Sequence, residues 1–388
     1  MKYLFNFLAG ILVMTIFLLI FQKIYLDKKD SLTKTTKNKI VNTPTVKPTE
    51  IIIPTAAITR GPTTPPIVGK IFSIRPNNDL TIQEAVDLAQ PGDTVVLSPG
   101  EYFQDVVTKK DGLPDKPITI KGQKSSIVKG AGNSRVFQVN HSYITLEGFT
   151  IDGHFKNSKE ISSYRDKFLY VTGKIAGKAL VNLKVFNMDI KNAGGECVRL
   201  RYLVQNSEIA YNSIFTCGVG DFEYNDGGKN GEGIYIGTAP EQLKDGKNPT
   251  SEVDRSNNNY IHNNYIDTQG NECVDIKEGS SFNIVEYNKC TGQRDPNSGG
   301  LDSRGNDNIF RYNEIYDNLG AGVRLGGDED KDGTNNQVYG NRILNNKSGG
   351  IKFQRTPQGR ICGNEMERNE KGSSVGSYGE DYNPEKSC

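Results

Sequence analysis

The amino-acid sequence predicts an all-β domain in which short parallel strands wind into a solenoid. Three observations lead to this prediction: a strand-like segment recurs six times, apolar residues occupy fixed columns within it, and the strand that follows each segment ends at an asparagine. No stretch with helical periodicity lies between these strands. Such a repeat favours stacked coils that together bury a continuous apolar face.

Each repeated segment begins with small or acidic residues and continues as a short alternating strand. The segments are GECVRLR, GEGIYIG, NECVDIK, SGGLDSR, GAGVRLG and SGGIKFQ. Alternate residues of a strand face opposite sides, so two apolar columns are expected to point inward. The first column contains Val198, Ile234, Val274, Leu301, Val323 and Ile351. The second contains Leu200, Ile236, Ile276, Ser303, Leu325 and Phe353.

A second strand follows each segment and ends at an asparagine. These asparagines are Asn212, Asn264, Asn288, Asn313, Asn341 and Asn364. Asparagine tolerates the left-handed backbone conformation that a sharp bend between strands requires. Stacked side-chain amides can also hydrogen-bond from coil to coil. The sequence therefore predicts an internal asparagine ladder at a corner of the solenoid.

A short amphipathic helix is predicted before the first coils, in the stretch TIQEAVDLA. Thr81 is the expected N-cap, with Glu84 three residues later completing a capping box. One face of this helix is apolar. It contains Ile82, Ala85, Val86 and Ala89.

The asparagine ladder, with loops of variable length between coils, resembles the right-handed parallel β-helix of the pectate lyase superfamily. The stretch TIQEAVDLAQPGDTVVLSPGEYFQDVV (81–107), followed by KPITIKG (116–122), resembles the opening coils of the chondroitinase B and alginate lyase family. In that family a short helix caps the N-terminal end of the core. The resemblance implies a right-handed parallel β-helix domain over residues 69–388.

The outward residues of the repeats form two further columns. The first contains Arg199, Tyr235, Asp275, Asp302, Arg324 and Lys352, and the second contains Arg201, Gly237, Lys277, Arg304, Gly326 and Gln354. Neighbouring strands lie ~4.8 Å apart, so Asp275 and Asp302 are expected to be adjacent. Glu196, Glu232 and Glu272 form an acidic ladder beside them. Adjacent like charges repel, which favours a bound cation or an anionic ligand over a merely solvated face.

The family resemblance implies a chemistry for these columns. Lyases of this superfamily remove the proton α to a uronate carboxylate and expel the 4-linked oxygen, and VDIKEGS resembles segments near the calcium site of pectate lyases. The implied Ca²⁺ ligands are Asp275, Asp302 and Glu272. The candidate bases are Lys277, Arg304 and Arg324, with Lys277 preferred. The expected sugar contacts are Arg199, Arg201, Tyr235 and Lys352.

A second candidate Ca²⁺ loop is GGDEDKDG, residues 326–333. Asp328, Asp330 and Asp332 before Gly333 match the opening D-x-D-x-D-G of a calcium loop. The twelfth position is Tyr339 instead of glutamate, which excludes an EF-hand. A structural Ca²⁺ site and an acidic turn both remain open.

Two other functions compete with a lyase. A glycoside hydrolase could use Asp275 and Asp302, because two carboxylates ~5 Å apart suit a retaining mechanism. However, the Asp trio and Gly-His-Gly of polygalacturonases are missing, and the histidines at 141, 154 and 262 are scattered. The other alternative is a carbohydrate-binding or structural solenoid without catalysis.

The N-terminal segment predicts a membrane anchor. Tyr3 to Phe21 is 19 residues long and uncharged, which is enough to span a bilayer. No A-x-A-like cleavage site follows, so an uncleaved single-pass anchor within residues 1–30 is preferred to a signal peptide. Residues 31–68 are rich in Thr, Pro and Lys and are typical of an extended linker. By the positive-inside rule, the lysines after the anchor favour a cytoplasmic location for the segment that carries them. However, long domains translocate regardless of such charges. We therefore expect the domain outside the cytoplasm.

Composition and cysteines narrow the expected partners. The net charge of +1 gives no bias toward nucleic acid, so the expected partners are an acidic polysaccharide and, through the anchor, the membrane. The domain is expected to be a monomer. The six cysteines lack CxxC spacing and could form disulfides outside the cell. Cys362 with Cys388 is the first expected pair, because it would fasten the C-terminal tail.

Overall fold

The computed structural model describes residues 69–77, 80–228 and 230–388. This part of the chain folds mainly into three long parallel sheets. We name them sheets A, B and C in the order in which the chain visits them within a coil. Over these residues, sheet A has 11 strands and sheets B and C have 10 each, and the strands pair in parallel. The predicted parallel β-solenoid is confirmed, and its right-handed winding stays a prediction.

The strands are short because the chain turns a corner after each one. Sheet A contains Ile71–Ile74, Thr94–Leu97, Ile118–Lys121, Ile144–Glu147, Lys184–Phe186, Glu208–Ala210, Tyr260–His262, Ile284–Glu286, Ile309–Arg311, Gln337–Tyr339 and Ile361–Cys362. Sheet B contains Gly100–Tyr102, Ser126–Val128, Thr150–Asp152, Asp189–Lys191, Ser213–Phe215, Tyr265–Asp267, Lys289–Thr291, Glu314–Tyr316, Arg342–Leu344 and Glu365–Glu367. Sheet C contains Val106–Val107, Arg135–Val139, Lys167–Thr172, Val198–Arg201, Ile234–Ile236, Val274–Ile276, Gly299–Ser303, Ala321–Leu325, Ile351–Phe353 and Ser374–Val375. Leu180–Val181 and Val204–Gln205 form a small additional pair.

The interior of the coils is one continuous apolar core. Both inward columns predicted from the repeats are fully buried in it, including Ser303. The earlier coils place Phe149 and Met188 where the later coils have the ladder asparagine, and both are buried too. Burial of this apolar surface is the main stabilising contribution to the domain.

Both ends of the core are covered. Helix α1, Ile82–Leu88, has Thr81 as its N-cap with the complete capping box to Glu84, and its apolar face is buried, as predicted. A second short helix, α2, spans Val219–Glu223, and 3-10 turns span Ile161–Ser163, Pro240–Gln242 and Gly379–Asp381. At the C-terminal end Tyr382 stacks on Phe353 with ring centroids 4.4 Å apart. The core is thereby shielded from water at both ends.

Three disulfides involve all six cysteines of the chain. Cys362–Cys388 fastens the C-terminal tail, which confirms the predicted pair. The other two, Cys197–Cys217 and Cys273–Cys290, lie in the core. Each links the start of a sheet C strand to the sheet B side of the next coil.

The asparagine ladder is confirmed, but the left-handed bend is not at the asparagine. Asn264 donates its amide to Asn288, which in turn donates to Asn313, with N···O distances of 2.9 and 3.1 Å. The residue before each ladder asparagine has the positive φ instead, as in Tyr287 (φ 56) and Tyr312 (φ 57). The ladder side chain has to point inward to reach the next coil, so its neighbour makes the bend.

Two further ladders occupy the other corners and were missed from the sequence. One precedes sheet A and contains Asn259, Asn283, Asn308 and Asn336, and the other follows sheet B and contains Gln293, Asn318, Asn346 and Asn369. Their members stand five residues before and five residues after the members of the first ladder. That spacing was the signal that could have revealed them.

The predicted anchor at 3–21 and linker at 31–68 lie outside the described residues and stay predictions. The helices in the described part of the chain lack the length and the apolar character of a membrane span.

Replacing a ladder asparagine should weaken the fold. Asn288 accepts bonds from the backbone and the side chain of Asn264 and donates to the carbonyl of Ile261. Asn288→Ala leaves these buried groups unpaired, so we expect the free energy of unfolding to fall by about 2 kcal/mol. Urea denaturation measures it. The exposed Asn133→Ala is the control, and equal effects of the two variants would contradict a stabilising role for the ladder.

Candidate active site

The outward column of sheet C is in the register that the repeats predicted. Asp275 lies opposite Tyr235 on one side and Asp302 on the other, and Asp302 lies opposite Arg324. The column continues to Arg199 at one end and Lys352 at the other. Residues from six coils therefore stand side by side on one face of the solenoid.

These residues do not lie on an open surface, which corrects the sequence-based expectation. Asp275 is 1% exposed and Asp302 is fully buried. Above them lies a cavity of about 320 Å³, which we call the central cavity. Its cover includes Gly228 and Asn230 from the loop after α2, and Glu241 and Gln242 from the turn Pro240–Gln242. The inserted loops supply this cover, and the spacing of the repeats carries no information about their paths.

The central cavity brings together all three candidate bases. Lys277, Arg304 and Arg324 line it together with Tyr235. Its acidic lining includes Glu232, Glu272 and Asp275, whereas Asp302 lies beneath the lining. Basic and acidic groups, several of them buried, thus share one small space, where electrostatic interactions are stronger than on an exposed surface.

Asp302 is neutralised by its neighbours. The Arg324 guanidinium donates a 2.7 Å bond to Asp302, and the Nε of Arg304 lies 4.0 Å from the same carboxylate oxygen. Burial raises the pKa of Asp302 and Arg324 lowers it, with a net shift upward. These arginines leave this carboxylate less free to act as a nucleophile or a metal ligand than its place in the column suggested.

Lys277 forms an ion pair with Asp275, two residues earlier in the chain. Its Nζ lies 2.7 Å from Asp275 Oδ2, and it also lies 4.7 Å from the centre of the Tyr235 ring. Burial lowers the pKa of Lys277, but Asp275 and Tyr235 outweigh burial and raise this pKa above its ordinary value. With Asp275 as its partner, Lys277 is an ammonium ion.

Three carboxylates of the central cavity, Glu232, Glu272 and Asp275, form a group that we call the carboxylate cluster. Each offers an oxygen, and these oxygens lie within 4.8 Å of one another. Burial first, and then repulsion from neighbouring carboxylates, raises the pKa of Glu232 to about 7 and raises that of Glu272 well above its usual range.

The carboxylate cluster fits an oxygen-liganded cation. Glu272 Oε2 and Asp275 Oδ1 are buried and accept no hydrogen bond from any described residue. Such oxygens are costly to bury unless something pairs with them, and hard cations such as Ca²⁺ bind carboxylate oxygens. Glu232 is the third member of this cluster, whereas the sequence analysis proposed Asp302. The position of Glu232 beside Glu272 in the acidic ladder was the signal that could have revealed it.

The three aspartates of the second candidate calcium loop do not come together at one site. Asp328 binds Arg304 at 3.0 Å, and Asp330 extends into solvent 3.7 Å from Arg355. Asp332 accepts a backbone bond from Glu329. Among the described residues, only the carboxylate cluster brings three potential metal-binding side chains within 4.8 Å of one another.

The predicted sugar contacts are divided between two places. Tyr235 lines the central cavity, and Lys352 binds the carbonyl of Asn297 at its rim. Arg199 and Arg201 line a neighbouring cavity. They also hold the loop that follows the strand Ile234–Ile236. Arg199 donates to Gln242 at 2.8 Å, and Arg201 donates to Asn248 at 2.6 Å. Both arginines are buried and hold structural partners while they also line that cavity.

Comparison with solved structures identifies the fold. An alginate lyase from Paenibacillus sp. str. FPU-7 matches with a TM-score of 0.61 and 19% identity, covering 79% of this chain and 99% of that chain. Pectate lyase Pel9A matches with a TM-score of 0.53 and 11% identity, covering 79% of each. The GH136 lacto-N-biosidase from Eubacterium ramulus matches with a TM-score of 0.50 and 14% identity, covering 78% of this chain and 67% of that one. At the sequence level, no protein-family model and no curated protein matches.

These matches define the class of architecture. The domain is a pectate lyase-like parallel β-helix, as the sequence resemblance implied. At these identities the likeness establishes the fold, and the chemistry has to be argued from the site itself.

Glu196 belongs to the acidic ladder, and its contribution to the stability of the fold should depend on pH. Glu196 binds Arg199 at 2.7 Å and also binds Lys167. Burial alone would raise the pKa of Glu196, but Lys167 and Arg199 outweigh it and lower this pKa from 4.5 to about 2. The folded state is therefore favoured by the charged form. This stabilisation is fully present above pH 4.5 and is lost as the pH falls toward 2.

We expect Glu196→Gln to lower the free energy of unfolding by on the order of 3 kcal/mol at neutral pH. The difference from the wild type should shrink below pH 4.5, because the wild-type carboxyl then becomes protonated. Urea denaturation at several pH values measures it. The exposed Glu160→Gln is the control, and a difference that stays constant down to pH 3 would contradict the lowered pKa.

Proposed function

We propose that this protein cleaves an acidic, uronate-containing polysaccharide by β-elimination with the assistance of Ca²⁺. The observation that carries the proposal is the central cavity, where Lys277, Arg304, Arg324 and Tyr235 meet the carboxylate cluster. A uronate needs both kinds of group, because its carboxylate has to be neutralised and its neighbouring C–H has to lose a proton.

The reaction breaks two bonds in the substrate. A base takes the proton from the carbon α to the carboxylate, the electron pair of that C–H bond becomes a carbon–carbon double bond, and the bond to the 4-linked oxygen breaks. The departing oxygen takes up a proton. The products are a chain with an unsaturated uronate at its new non-reducing end and a chain with a new reducing end.

Lys277 is the proposed base, with Arg304 or Arg324 as alternatives. Arg324 is committed to Asp302 and Arg304 is divided between Asp328 and Asp302, so these two fit better as groups that hold the substrate carboxylate. To act as a base, Lys277 has to be released from Asp275 and give up one proton to solvent before it takes the α proton, because that ion pair keeps it protonated.

Tyr235 is suited to donate a hydrogen bond or a proton. Burial raises the pKa of its hydroxyl, so the proton is retained at neutral pH. The ring is contacted by Arg199, whose Cζ lies 3.5 Å from the ring centre, and by Lys277. These two cations would stabilise a tyrosinate formed after Tyr235 protonates the departing oxygen.

Asp275, Glu272 and Glu232 are the residues that would hold Ca²⁺. Bound there, the ion would neutralise the substrate carboxylate and make the α proton more acidic. The unpaired oxygens of Glu272 and Asp275 support this assignment.

We further propose that residues 1–30 anchor the protein in a membrane and that the β-helix domain lies outside the cytoplasm. The uncharged stretch from Tyr3 to Phe21 supports the anchor. The disulfides support the location, because every cysteine of the chain is in a disulfide and disulfides persist in oxidising compartments.

A glycoside hydrolase is the second candidate function. The pKa of Glu232, raised to about 7, favours it, because a carboxylic acid that stays protonated near neutral pH can protonate a glycosidic oxygen. A hydrolase leaves no double bond, so the products distinguish it from a lyase.

Lys277→Ala should abolish turnover while leaving the fold intact. The assay follows the ultraviolet absorbance of unsaturated uronate when the protein meets pectate, alginate or another uronan with Ca²⁺. We expect a rate loss of at least a thousandfold, on the order of what removing a positioned base costs. Lys289→Ala, on the exposed face of sheet B, is the control.

Each outcome of this assay assigns a different function. Unchanged turnover in Lys277→Ala removes this residue from the base role. New reducing ends without unsaturation in the wild type would identify a hydrolase. Binding of acidic polysaccharides without any cleavage would identify a non-catalytic carbohydrate-binding solenoid.

The two candidate calcium sites can be separated by matched variants. Asp275→Asn should weaken Ca²⁺ binding at least tenfold, because it removes a charged ligand from the carboxylate cluster. Asp330→Asn should leave binding unchanged, because its carboxylate lies in solvent. Isothermal titration calorimetry with CaCl₂ measures both. The reverse pattern would move the site to the loop at 326–333, and no calcium binding by the wild type would refute the assignment.

A further inference from the structure

A second cavity lies beside the central cavity on the same face of the solenoid. It has a volume of about 380 Å³ and shares Asn230 and Gln242 with the lining of the central cavity. We call it the lateral cavity. The two cavities are therefore neighbours along sheet C.

The lateral cavity is basic. Five basic side chains line it, against two acidic ones, Asp166 and Glu196, and a third acid, Asp245, pairs with Arg201 and Lys247. The basic residues are Arg135, Lys167, Arg199, Arg201 and Lys247. The described residues around this cavity thus leave an excess of positive charge at a site that opens to solvent, which attracts an anion.

Two of these arginines have donors that the described protein does not use. The Nε of Arg199 is buried and donates to no described residue. Arg135 forms no ion pair with a described acid, since its guanidinium donates to the neutral amide of Gln138 and stacks 3.6 Å above the Tyr170 ring. A stacked guanidinium with free N–H groups is already oriented to bind a carboxylate through two hydrogen bonds.

The register of the strands sets the distance between the two cavities. Arg199 lies opposite Tyr235, and Tyr235 lies opposite Asp275, whose strand ends next to Lys277. Arg199 and Lys277 also contact the same Tyr235 ring. The backbones that carry the two basic residues are thus two strand spacings apart, roughly 10 Å. The charged ends of Arg199 and Lys277 lie closer together than that, because both contact one ring.

We propose that the lateral cavity binds a second acidic sugar of the polysaccharide chain whose first acidic sugar occupies the central cavity. This inference rests on the proposed function for its first binding position and deepens it. The substrate is then a polymer in which carboxylates recur along the chain, and a neutral glycan with one isolated uronate would bind poorly. Arg135 and Arg199 are the specificity-determining residues.

The test is equilibrium binding of uronate oligosaccharides of increasing length to the full chain, measured by calorimetry in the presence of Ca²⁺ at low temperature. We expect affinity to rise from the disaccharide to the hexasaccharide. Arg135→Ala should weaken the hexasaccharide about tenfold and leave the disaccharide unchanged, because only the longer chain reaches the lateral cavity. A hexasaccharide with reduced, neutral carboxyl groups should lose the same advantage.

The matched control is Arg360→Ala. Arg360 is also stacked on a tyrosine, 4.2 Å from the centre of the Tyr339 ring, but it is exposed and lines neither cavity. Its substitution should change neither affinity. An Arg135→Ala effect that is absent, or equal for both lengths, overturns the inference, as does equal binding of the neutral hexasaccharide.

Failure of this inference can be told apart from failure of the proposed function. Cleavage of uronans by the wild type with no length-dependent effect of Arg135→Ala would leave the lyase in place and refute the second binding position. Length-dependent binding without cleavage would refute the lyase and support the second binding position.

Discussion

The alignment of one coil on the next is the constraint on which the whole molecule depends. A strand that slipped by one residue would turn its apolar residues outward and its charged residues into the core. Three polar ladders at the corners oppose such a slip, because each buried amide has to meet its partner in the next coil. Asn288, for example, binds Asn264 on one side and Asn313 on the other. The same alignment places Asp275 between Tyr235 and Asp302.

The loops between the coils convert this alignment into a site. Without cover, the outward column of sheet C would be a solvated mixed-charge face of little electrostatic strength. The loop after α2 and the turn at 240–242 cover this column, and the buried charges then shift one another's pKa values. Glu196 and Glu232 illustrate this effect. Neighbouring cations lower the pKa of the first to about 2, whereas burial among acids raises that of the second to about 7.

The two core disulfides reinforce the same region. Cys197 directly follows Glu196, and Cys273 directly follows Glu272. Each disulfide fixes the point where the chain enters a sheet C strand and ties it to the next coil. The buried carboxylates are thereby held on a backbone that is covalently constrained, which counteracts the repulsion that crowding such groups creates.

The sequence by itself determined the periodic features of this protein. Alternation within VDIK and the repeat of the segments were sufficient to place Val274 in the core and Asp275 beside Asp302, because both are local or strictly recurring properties. The capping box at Thr81 was readable for the same reason, and the tail disulfide was predicted because it would fasten the C-terminal tail. Only the tertiary structure decided which charges pair, how deeply they lie, and that Glu232 joins Glu272 and Asp275 in the cluster. Those outcomes depend on loops of irregular length. Gln242 reaches Arg199 across 43 residues of sequence, and no repeat encodes that contact.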